Sequence, residues 1–290
     1  MKHAYLIMAH DNFELLNKLL LMLDYPGNDI YLHVDKKATD FKLNDLPKLS
    51  ESKLELIDRI DTNWGGYSLV QCELNLLKSS VKGNYDYYHL LSGVDLPIKN
   101  QRQIHDFFEK NKGYEFVGFV DHWDKDIIIK KIPFIEVGRK RDLISCIKHR
   151  INKMSILFQR MLNKKPKFDF ELFKGSQWFS ITNDFAKFVL DSEFLIKKNF
   201  SNIQASDEMV IQTILANSKF KDNIYLGTNA NEYESSMRNI DWNRGTPYTY
   251  KDNDFEELVQ SNKLFARKFG EPDGVLIADR FIKMWKEDIN

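Results

Sequence analysis

The chain has 290 residues and carries 42 basic and 42 acidic side chains, so its formal net charge is zero at neutral pH. Hydrophobic residues make up 43% of the sequence and aromatic residues 13%, which is typical of a globular protein and excludes disorder along the whole chain. The balanced charge removes the simplest argument for binding to nucleic acid, and we expect none.

The sequence also argues against a membrane span and a disulfide framework. No apolar run is long enough to cross a bilayer, and the apolar start of the chain predicts a strand rather than a signal peptide. The two cysteines, Cys72 and Cys146, lie far apart and have neither a CxxC motif nor a paired histidine. Free thiols in a reducing compartment fit this pattern, so we expect a cytoplasmic protein.

Predicted strands and helices alternate through the first part of the chain. The predicted strands cover 4–9, 29–34, 54–60, 85–91 and 114–120, and the predicted helices cover 11–23, 70–81 and 101–110. This order favours a mostly parallel sheet with crossover helices, in which ligands bind at the carboxyl ends of the strands. Those ends carry His10, Asp35, Trp64 and Asp95.

The second half of the chain has a less regular pattern. It predicts strands at 173–181, 223–226 and 237–242, and helices at 183–190, 206–216, 254–261 and 274–286. No stretch rich in Gly, Ser or Pro is long enough to separate domains. We therefore expect a single α/β domain over residues 1–290.

One segment carries most of the charge asymmetry of the chain. Between Gly138 and Lys167 there are ten Lys or Arg residues and one acid, Asp142, so the segment has a charge near +9 and the rest of the chain a charge near −9. Apolar residues between Leu143 and Leu162 recur on one face of a predicted helix. Two interpretations stay open: the helix packs on the core with a solvated basic face, or it lies on an anionic membrane surface.

Common nucleotide and hydrolase motifs are missing. The sequence has no GxGxxG after its first strand, no GxxxxGK[ST] and no GxSxG. An Asp-x-Asp triplet near a strand end can hold Mg²⁺ or Mn²⁺ against a diphosphate, and two triplets occur, at 124–126 and 252–254. The first encloses a lysine, and the second stands where acids commonly favour the dipole of a helix, so neither is a convincing metal site.

Seven motifs occur together in an order that resembles a known family. They are HVDKKA at 33–38, WGGYSLVQCELNLL at 64–77, YHLLSGVDLPIK at 88–99, KGSQWFSI at 174–181, SDEMVIQTIL at 206–215, MRNIDW at 237–242 and LFARKF at 264–269. The set resembles a bacterial member of the core-2/I-branching glycosyltransferases, glycosyltransferase family 14, from Tyr5 to about Phe269. That family includes β-1,6-N-acetylglucosaminyltransferases and peptide O-xylosyltransferases.

The resemblance implies a GT-A-like fold and an inverting transfer from a UDP-sugar without a divalent metal, so that no cofactor is required. It implies that Glu208 is the catalytic base and that Arg238 and Lys268 contact the diphosphate. The whole implied nucleotide-binding set is Met8, His10, Asp35, Trp64, Arg238 and Lys268. The candidates for contact with the acceptor or the donor sugar are Asp95, Trp178 and Asp207.

Charge explains why these residue types suit the chemistry. Negative charge develops on the bridging oxygen as a sugar nucleotide loses its diphosphate, and two fixed cations can stabilise it where a metal is absent. The acceptor hydroxyl needs a carboxylate to take its proton, which accelerates such reactions by about 10²–10⁴-fold. A base on the side of the sugar opposite the leaving group gives direct displacement with inversion.

The same residues also have structural interpretations. A carboxylate at Glu208 favours the start of a helix, Asp35 and Asp95 can form turns, and Trp64 can be a core aromatic. Three histidines near strand ends are more typical of hydrogen-bonded core residues than of a metal site; they are His10, His33 and His89.

The sequence thus predicts an enzyme that moves a sugar from a UDP-sugar to a hydroxyl of a glycan acceptor. GlcNAc is the favoured sugar, and xylose or another sugar is the alternative. The acceptor can be lipid-linked, as in the synthesis of bacterial surface polysaccharide. Two other classes stay open. One is a carbohydrate- or nucleotide-binding module without catalysis, and the other is an interaction protein held on the inner face of the cell membrane by the basic segment.

Overall fold

The computed structural model describes residues 1–121, 123, 146–148, 150–151, 153–154 and 168–287. The triplet at 124–126 and most of the basic segment at 138–167 lie outside these residues. Within them the predicted α/β architecture is confirmed, because a mostly parallel central sheet has helices packed on both faces.

The central sheet has five strands in the order β3-β2-β1-β4-β6. They are β1 His3–Ala9, β2 Asn28–Val34, β3 Lys53–Leu56, β4 Tyr87–Ser92 and β6 Ser180–Thr182. The first four run parallel, and β6 runs antiparallel to β4. Strand β1 is apolar and buried along its whole length, as expected for the centre of a sheet covered on both faces. The ends of β1 and β2 lie side by side, since Ala9 pairs with Val34.

Two apolar clusters cover the two faces of this sheet. The helices are α1 Phe13–Leu23, α2 Tyr67–Ser80, α3 Gln101–Lys110, α4 Asn183–Asp191, α5 Glu193–Phe200, α6 Val210–Ala216, α7 Glu232–Ser236, α8 Phe255–Gln260 and α9 Asp273–Glu287. Helices α1, α3, α8 and α9 contribute to one cluster, and α2, α4, α5 and α6 to the other. Side chains alternate along β1, so that Ile7 enters the first cluster and Leu6 the second.

A second, three-stranded sheet has the order β5-β8-β7. Its strands are β5 Asp95–Pro97, β7 Arg238–Ile240 and β8 Phe265–Arg267. Strand β8 is antiparallel to β5 and parallel to β7, which places Arg267 opposite Asp95. The sequence pattern predicted β7 but missed β5 and β8, because strands of three residues are too short to show alternation.

Several predicted elements differ in the structure. The predicted strands at 114–120, 173–181 and 223–226 were too long: Glu115 and Phe116 make only isolated bridges, to Ile224 and Ser180. A close crossing of backbones interrupts the first two of these strands, because a Cβ on Gly175 would lie 1.8 Å from the carbonyl oxygen of Gly118. The predicted strand at 54–60 ends at 56, the predicted helix at 206–216 begins with a 3-10 turn, and α5 and α7 were not predicted.

The buried histidines are core residues, as predicted for two of the three. His89 lies 2.8 Å from Ser180 Oγ through Nδ1 and 3.0 Å from His3 Nδ1 through Nε2. His33 accepts a hydrogen bond from the backbone N–H of Ile60 at 3.0 Å. Burial lowers the pKa of His33 to about 4 and the pKa values of His3 and His89 well below the usual range, so these rings are neutral.

The part of the basic segment that the structure describes is helical at 146–148, 150–151 and 153–154. Ile147, Ile151 and Met154 lie on one face of that helix and expose 50%, 46% and 70% of their surface. The rest of the predicted helix at 143–162 lies outside the described residues. Among the residues described, no helix has both the length and the apolar character needed to span a membrane.

Candidate active site

The end of β1 supplies two of the predicted nucleotide contacts. Met8 is 8% exposed, and Gln177 Nε2 lies 3.9 Å from its sulfur. His10, just beyond the strand, is half-buried, and its Nε2 lies 3.2 Å from a carboxylate oxygen of Asp11. Both residues lie at the carboxyl edge of the sheet, where ligands of parallel sheets bind.

Asp35 follows β2 at the same edge and is held by several hydrogen bonds. The backbone N–H of Lys37 donates to one carboxylate oxygen at 2.8 Å, and the hydroxyl of Thr62 donates to the other. Burial alone would raise the pKa of Asp35, but these hydrogen bonds outweigh it and the pKa is lowered. Asp35 is therefore a fixed negative charge that ties β2 to the segment leading to Trp64.

Trp64 exposes 71% of its surface, so it is not a core aromatic. The turn that carries it is fixed by backbone contacts. Gly65 adopts a φ of 69°, and its carbonyl accepts a hydrogen bond from the N–H of Ala205 at 2.9 Å. Because Ala205 opens the turn that ends in Glu208, the exposed indole and Glu208 lie on neighbouring loops of one edge.

Glu208 ends a 3-10 helix that covers Ser206–Glu208. One carboxylate oxygen lies 2.9 Å from Nζ of Lys174, and 38% of the Glu208 side chain is exposed. The backbone carbonyl of Glu208 also accepts a hydrogen bond from the N–H of Gly175 at 2.9 Å. The carboxylate is thus within reach of a ligand, as a general base must be, and an ammonium group holds it in position.

Two more carboxyl groups lie behind Glu208. Asp207 is 7% exposed, and burial together with the charge of Glu208 raises its pKa to about 7. Glu73 of α2 is 2% exposed, accepts a hydrogen bond from Gln177 at 2.7 Å, and has a pKa raised well above the usual range by burial and by the charge of Asp207. Oδ1 of Asp207 is buried and has no hydrogen-bond partner. Asp207, which was predicted to contact a sugar, is therefore buried beneath the surface of the site.

A cationic group lies where β5 and β8 meet. The guanidinium of Arg267 is 2.7 Å from a carboxylate oxygen of Asp95 and 4.4 Å from the ring centre of Trp178. Asp95 is 1% exposed and Trp178 is 9% exposed, so these two predicted sugar contacts are buried and hold Arg267 instead. Lys268 follows and is partly exposed. The sequence analysis missed Arg267, although it stands beside Lys268 in LFARKF.

The structure places Arg238 in the core, which contradicts its predicted contact with a diphosphate. It is 1% exposed, and its guanidinium donates to the carbonyls of Ser236 and Phe179 at 2.8 and 2.9 Å. It also lies 4.4 Å from the ring centre of Phe265. Burial lowers the pKa of Arg238 to about 10, although the nearby charge of Asp95 acts in the opposite direction. Its role is to join β6, β7 and β8.

The Asp-x-Asp triplet at 252–254 is engaged in ion pairs. Asp252 lies 3.1 Å from Arg280, and Asp254 lies 3.0 Å from Arg244. Arg244 is stacked 4.3 Å from the ring centre of Tyr248, whose carbonyl accepts a hydrogen bond from the backbone N–H of Lys268. Within the described parts of the chain, no group of three or more His, Cys, Asp or Glu side chains could hold a metal ion.

Aromatic side chains that the sequence analysis did not select lie next to Glu208. Trp242 exposes 51% of its surface and is hydrogen-bonded to the side chain of Tyr233. Tyr233 in turn bonds Glu232, whose carboxyl group interacts with the charges of Lys174 and Glu208. An exposed indole thus flanks the carboxylate on the side of α7. The signal in the sequence was the tryptophan at the end of MRNIDW.

The fold and this edge define an α/β protein with an aromatic-rimmed site that holds fixed cations and a solvent-accessible carboxylate. The model of the core-2/I-branching enzyme family matches residues 3–262. The chain belongs to that family.

The names of the relatives refer to the transfer of two different sugars, xylose and N-acetylglucosamine. The xylosyltransferase oxt of Drosophila melanogaster is 28% identical over 87% of this chain and 30% of its own length. Human xylosyltransferase 2 is 26% identical over 92% of this chain and 31% of its own length. The human N-acetyllactosaminide β-1,6-N-acetylglucosaminyl-transferase is 25% identical over 67% of this chain and 46% of its own length. The chain thus spans a third to a half of these relatives.

Among solved structures, the apo form of mouse xyloside xylosyltransferase 1 matches 94% of this chain and 98% of its own at 10% identity. The TM-score is 0.35, and a likeness at that level carries no argument about this protein.

The structural position of Arg238 predicts the effect of Arg238→Lys. The single nitrogen of a lysine cannot replace both Nη1, which donates to Ser236, and Nη2, which donates to Phe179 and Ser180, so the free energy of unfolding should fall by about 2–4 kcal/mol. UDP affinity of the folded variant, measured by isothermal titration calorimetry, should stay within about twofold of wild type, because Arg238 has no access to a ligand. Unchanged urea unfolding together with a tenfold weaker UDP affinity would return Arg238 to the binding site.

Proposed function

We propose that the protein is a GT-A-like glycosyltransferase that moves a sugar from a UDP-sugar to a hydroxyl of a glycan acceptor, with inversion and without a divalent metal. One observation carries this proposal. The segment 174–178 contacts both the proposed base and a proposed diphosphate ligand. Lys174 at one end forms an ion pair with the Glu208 carboxylate, and the ring of Trp178 at the other end packs against the guanidinium of Arg267. A single stretch of backbone thereby contacts both the proposed proton acceptor, Glu208, and a cation, Arg267.

The donor occupies the edge of the sheet in this proposal. Asp35 and Trp64 flank the uridine, with Met8 and His10 at the end of β1 beneath it. Arg267 and Lys268 face the diphosphate, Arg267 replacing the core residue Arg238 in that role. Arg267 is pre-oriented by Asp95 and by the Trp178 ring, so it can stabilise the charge of the departing diphosphate without rearranging.

The acceptor approaches from the side of Glu208 and Trp242. The exposed indole of Trp242 offers an apolar, flat surface for a sugar ring, and the Glu208 carboxylate accepts the proton of the attacking hydroxyl. Lys174 holds that carboxylate in position through an ion pair at 2.9 Å. A second candidate function, a binding module without catalysis, has less support because Glu208 is exposed and ion-paired rather than buried.

The relatives support a choice of two donor sugars. One group is named for xylose and the other for N-acetylglucosamine. We favour UDP-GlcNAc as donor, with UDP-xylose as the alternative. We place the reaction in the synthesis of bacterial surface polysaccharide, on the cytoplasmic side of the membrane, with a lipid-linked glycan as acceptor.

The assignment of the base is tested by Glu208→Gln, which keeps the shape of the side chain and removes its basicity. We expect kcat to fall by about 10²-fold or more, while affinity for the UDP-sugar changes little. Glu256→Gln is the matched control, because Glu256 is a surface glutamate that is paired with Arg280 and to which no role in the reaction is assigned. The readout is UDP release with a panel of UDP-sugars and acceptors. Near-normal turnover by a folded Glu208→Gln variant would contradict the assignment.

The proposed cation pair is tested with and without EDTA. Arg267→Ala and Lys268→Ala should each weaken UDP binding by about 1.5–3 kcal/mol, the scale of a hydrogen bond to a charged group. Activity should survive EDTA, since no step is assigned to a metal. Lys283→Ala, on the exposed face of α9, should leave both quantities unchanged. Loss of activity in EDTA that Mn²⁺ restores would contradict metal independence, and unchanged UDP affinity in both variants would contradict the cation pair.

A further inference from the structure

The residues proposed to surround the uridine lie on three separate segments of the chain. His10 follows β1, Asp35 lies in a turn at 34–38 that follows β2, and Trp64 lies beyond β3. A ligand binds more tightly when such segments are already held in place, because ordering them on binding costs free energy. One side chain to which no role has yet been assigned, Arg59, is linked to all three segments.

Arg59 is joined to the turn after β2 through four backbone carbonyls. Its Nε donates to the carbonyl of Val34 at 3.1 Å. Its Nη2 lies 2.7 Å from the carbonyls of Asp35 and Ala38 and 3.4 Å from that of Lys36. A lysine has one nitrogen on a flexible chain, so it could not contact these carbonyls in the same way.

The segment that contains Arg59 also carries Trp64. Between these two residues, the hydroxyl and the backbone N–H of Thr62 donate to one carboxylate oxygen of Asp35. The turn at 34–38 is thus joined to this segment twice, through the guanidinium and through the carboxylate. Because the indole lies only two residues beyond Thr62, its position depends on both links.

Aromatic contacts extend from Arg59 toward the loop after β1. The guanidinium carbon lies 5.4 Å from the ring centre of Phe41, an arrangement in which a cation is attracted to the ring. The ring of Phe41 lies 5.3 Å from that of Phe13. Phe13 is the first residue of α1 and stands three positions after His10. The third segment is therefore linked to Arg59 through two rings.

The contacts of Arg59 indicate a role in shape rather than in ion pairing. Its side chain is half-buried, and both Nε and Nη2 are engaged by carbonyls, which have no net charge. An arginine that is needed only for its charge can be replaced by lysine, whereas one that is needed for its planar fork cannot. This difference makes Arg59→Lys an informative substitution.

We propose that Arg59 is a positioning residue for the uridine end of the donor site. It holds the turn of Asp35 and the segment of Trp64 in the arrangement that recognises the nucleoside. This inference rests on the proposed function, because the nucleoside is the uridine of the proposed donor. The effect of Arg59 is confined to that end of the donor, since Arg267 and Lys268, which are proposed to face the diphosphate, belong to β8 and the residue after it.

The affinities of UDP and of inorganic pyrophosphate, both measured in EDTA by isothermal titration calorimetry, test the proposal. Pyrophosphate has the charges of the diphosphate but no nucleoside. Arg59→Lys and Arg59→Gln should each weaken UDP binding by about tenfold or more, the scale of one or two lost hydrogen bonds. The affinity for pyrophosphate should stay within about twofold of wild type.

Steady-state kinetics separate positioning from a general structural role. In both Arg59 variants KM for the UDP-sugar should rise by about tenfold or more, while kcat at saturating donor changes by less than about threefold. Such a split is expected when an interaction is lost equally from the bound substrate and from the transition state. A variant that merely loses folded protein would lower the apparent kcat and leave KM unchanged.

Two further variants serve as controls. Arg102→Lys changes an exposed arginine of α3 and should leave both affinities unchanged. Phe41→Leu removes the ring beside the guanidinium and leaves the hydrogen bonds of Arg59 in place, so it should weaken UDP binding by about two- to fivefold. Circular dichroism establishes that each variant is folded. Phe41→Leu tests the same arrangement if an Arg59 variant proves too unstable.

Unchanged UDP affinity in the folded Arg59 variants, or in Phe41→Leu where those do not fold, would overturn the inference. An equal loss of affinity for UDP and pyrophosphate would overturn it as well, because the effect would not be confined to the nucleoside. Wild type that binds pyrophosphate as tightly as UDP would remove the uridine end and leave the diphosphate contacts standing. Wild type that binds neither compound would contradict the proposed function itself.

Discussion

The site depends on a backbone crossing that leaves no room for side chains. Gly175 lies so close to Gly118 that an added Cβ would be 1.8 Å from the Gly118 carbonyl oxygen. Nε2 of Gln212 on α6 donates to the carbonyls of Ser176 and Gly118 at 2.7 and 3.3 Å and so fixes the crossing. The backbone N–H of Val120 donates to the Lys174 carbonyl at 2.8 Å. Together these contacts set the position of the segment 174–178, from which both Glu208 and Arg267 are oriented.

Three of the charged groups that we assign to the reaction are held by contacts within the fold. Glu208 is paired with Lys174, Asp35 accepts hydrogen bonds from Thr62 and Lys37, and Arg267 is held by Asp95 and Trp178. Fixed dipoles and charges of this kind cost no reorganisation during the reaction, which is why they are effective. The carboxyl groups deeper in the site behave differently. Burial raises the pKa values of Glu73 and Asp207, so negative charge is concentrated at Glu208 on the accessible side.

The sequence predicted the parts of the fold whose pattern is local. Strand β1 is a continuous apolar run, and α3 has bounds that match its prediction, because periodicity and a capping box are encoded within a few residues. The crossing at Gly118 and Gly175 and the pairing of β5 with β8 could not be predicted, since they join segments that are distant along the chain. The extent of the strands around 114–120 and 173–181 was wrong for that reason.

The same distinction holds for the site. A motif identifies a residue type at a position, and in this way Glu208, Lys268 and Trp64 were selected, all three of which are at least partly exposed. It does not show burial, so Arg238 was assigned to a ligand although it is a core residue. Arg267 was missed because its support comes from Asp95, 172 positions earlier in the chain.

A crystal structure of the protein with UDP, grown in the presence of EDTA, tests the central claim most directly. The account predicts that the diphosphate lies within hydrogen-bonding distance of Arg267 and Lys268, that the uracil lies beside Trp64 and Asp35, and that Arg238 keeps its contacts with Phe179 and Ser236. A diphosphate bound away from Arg267 and Lys268, or UDP that binds only when a divalent metal is supplied, would contradict it.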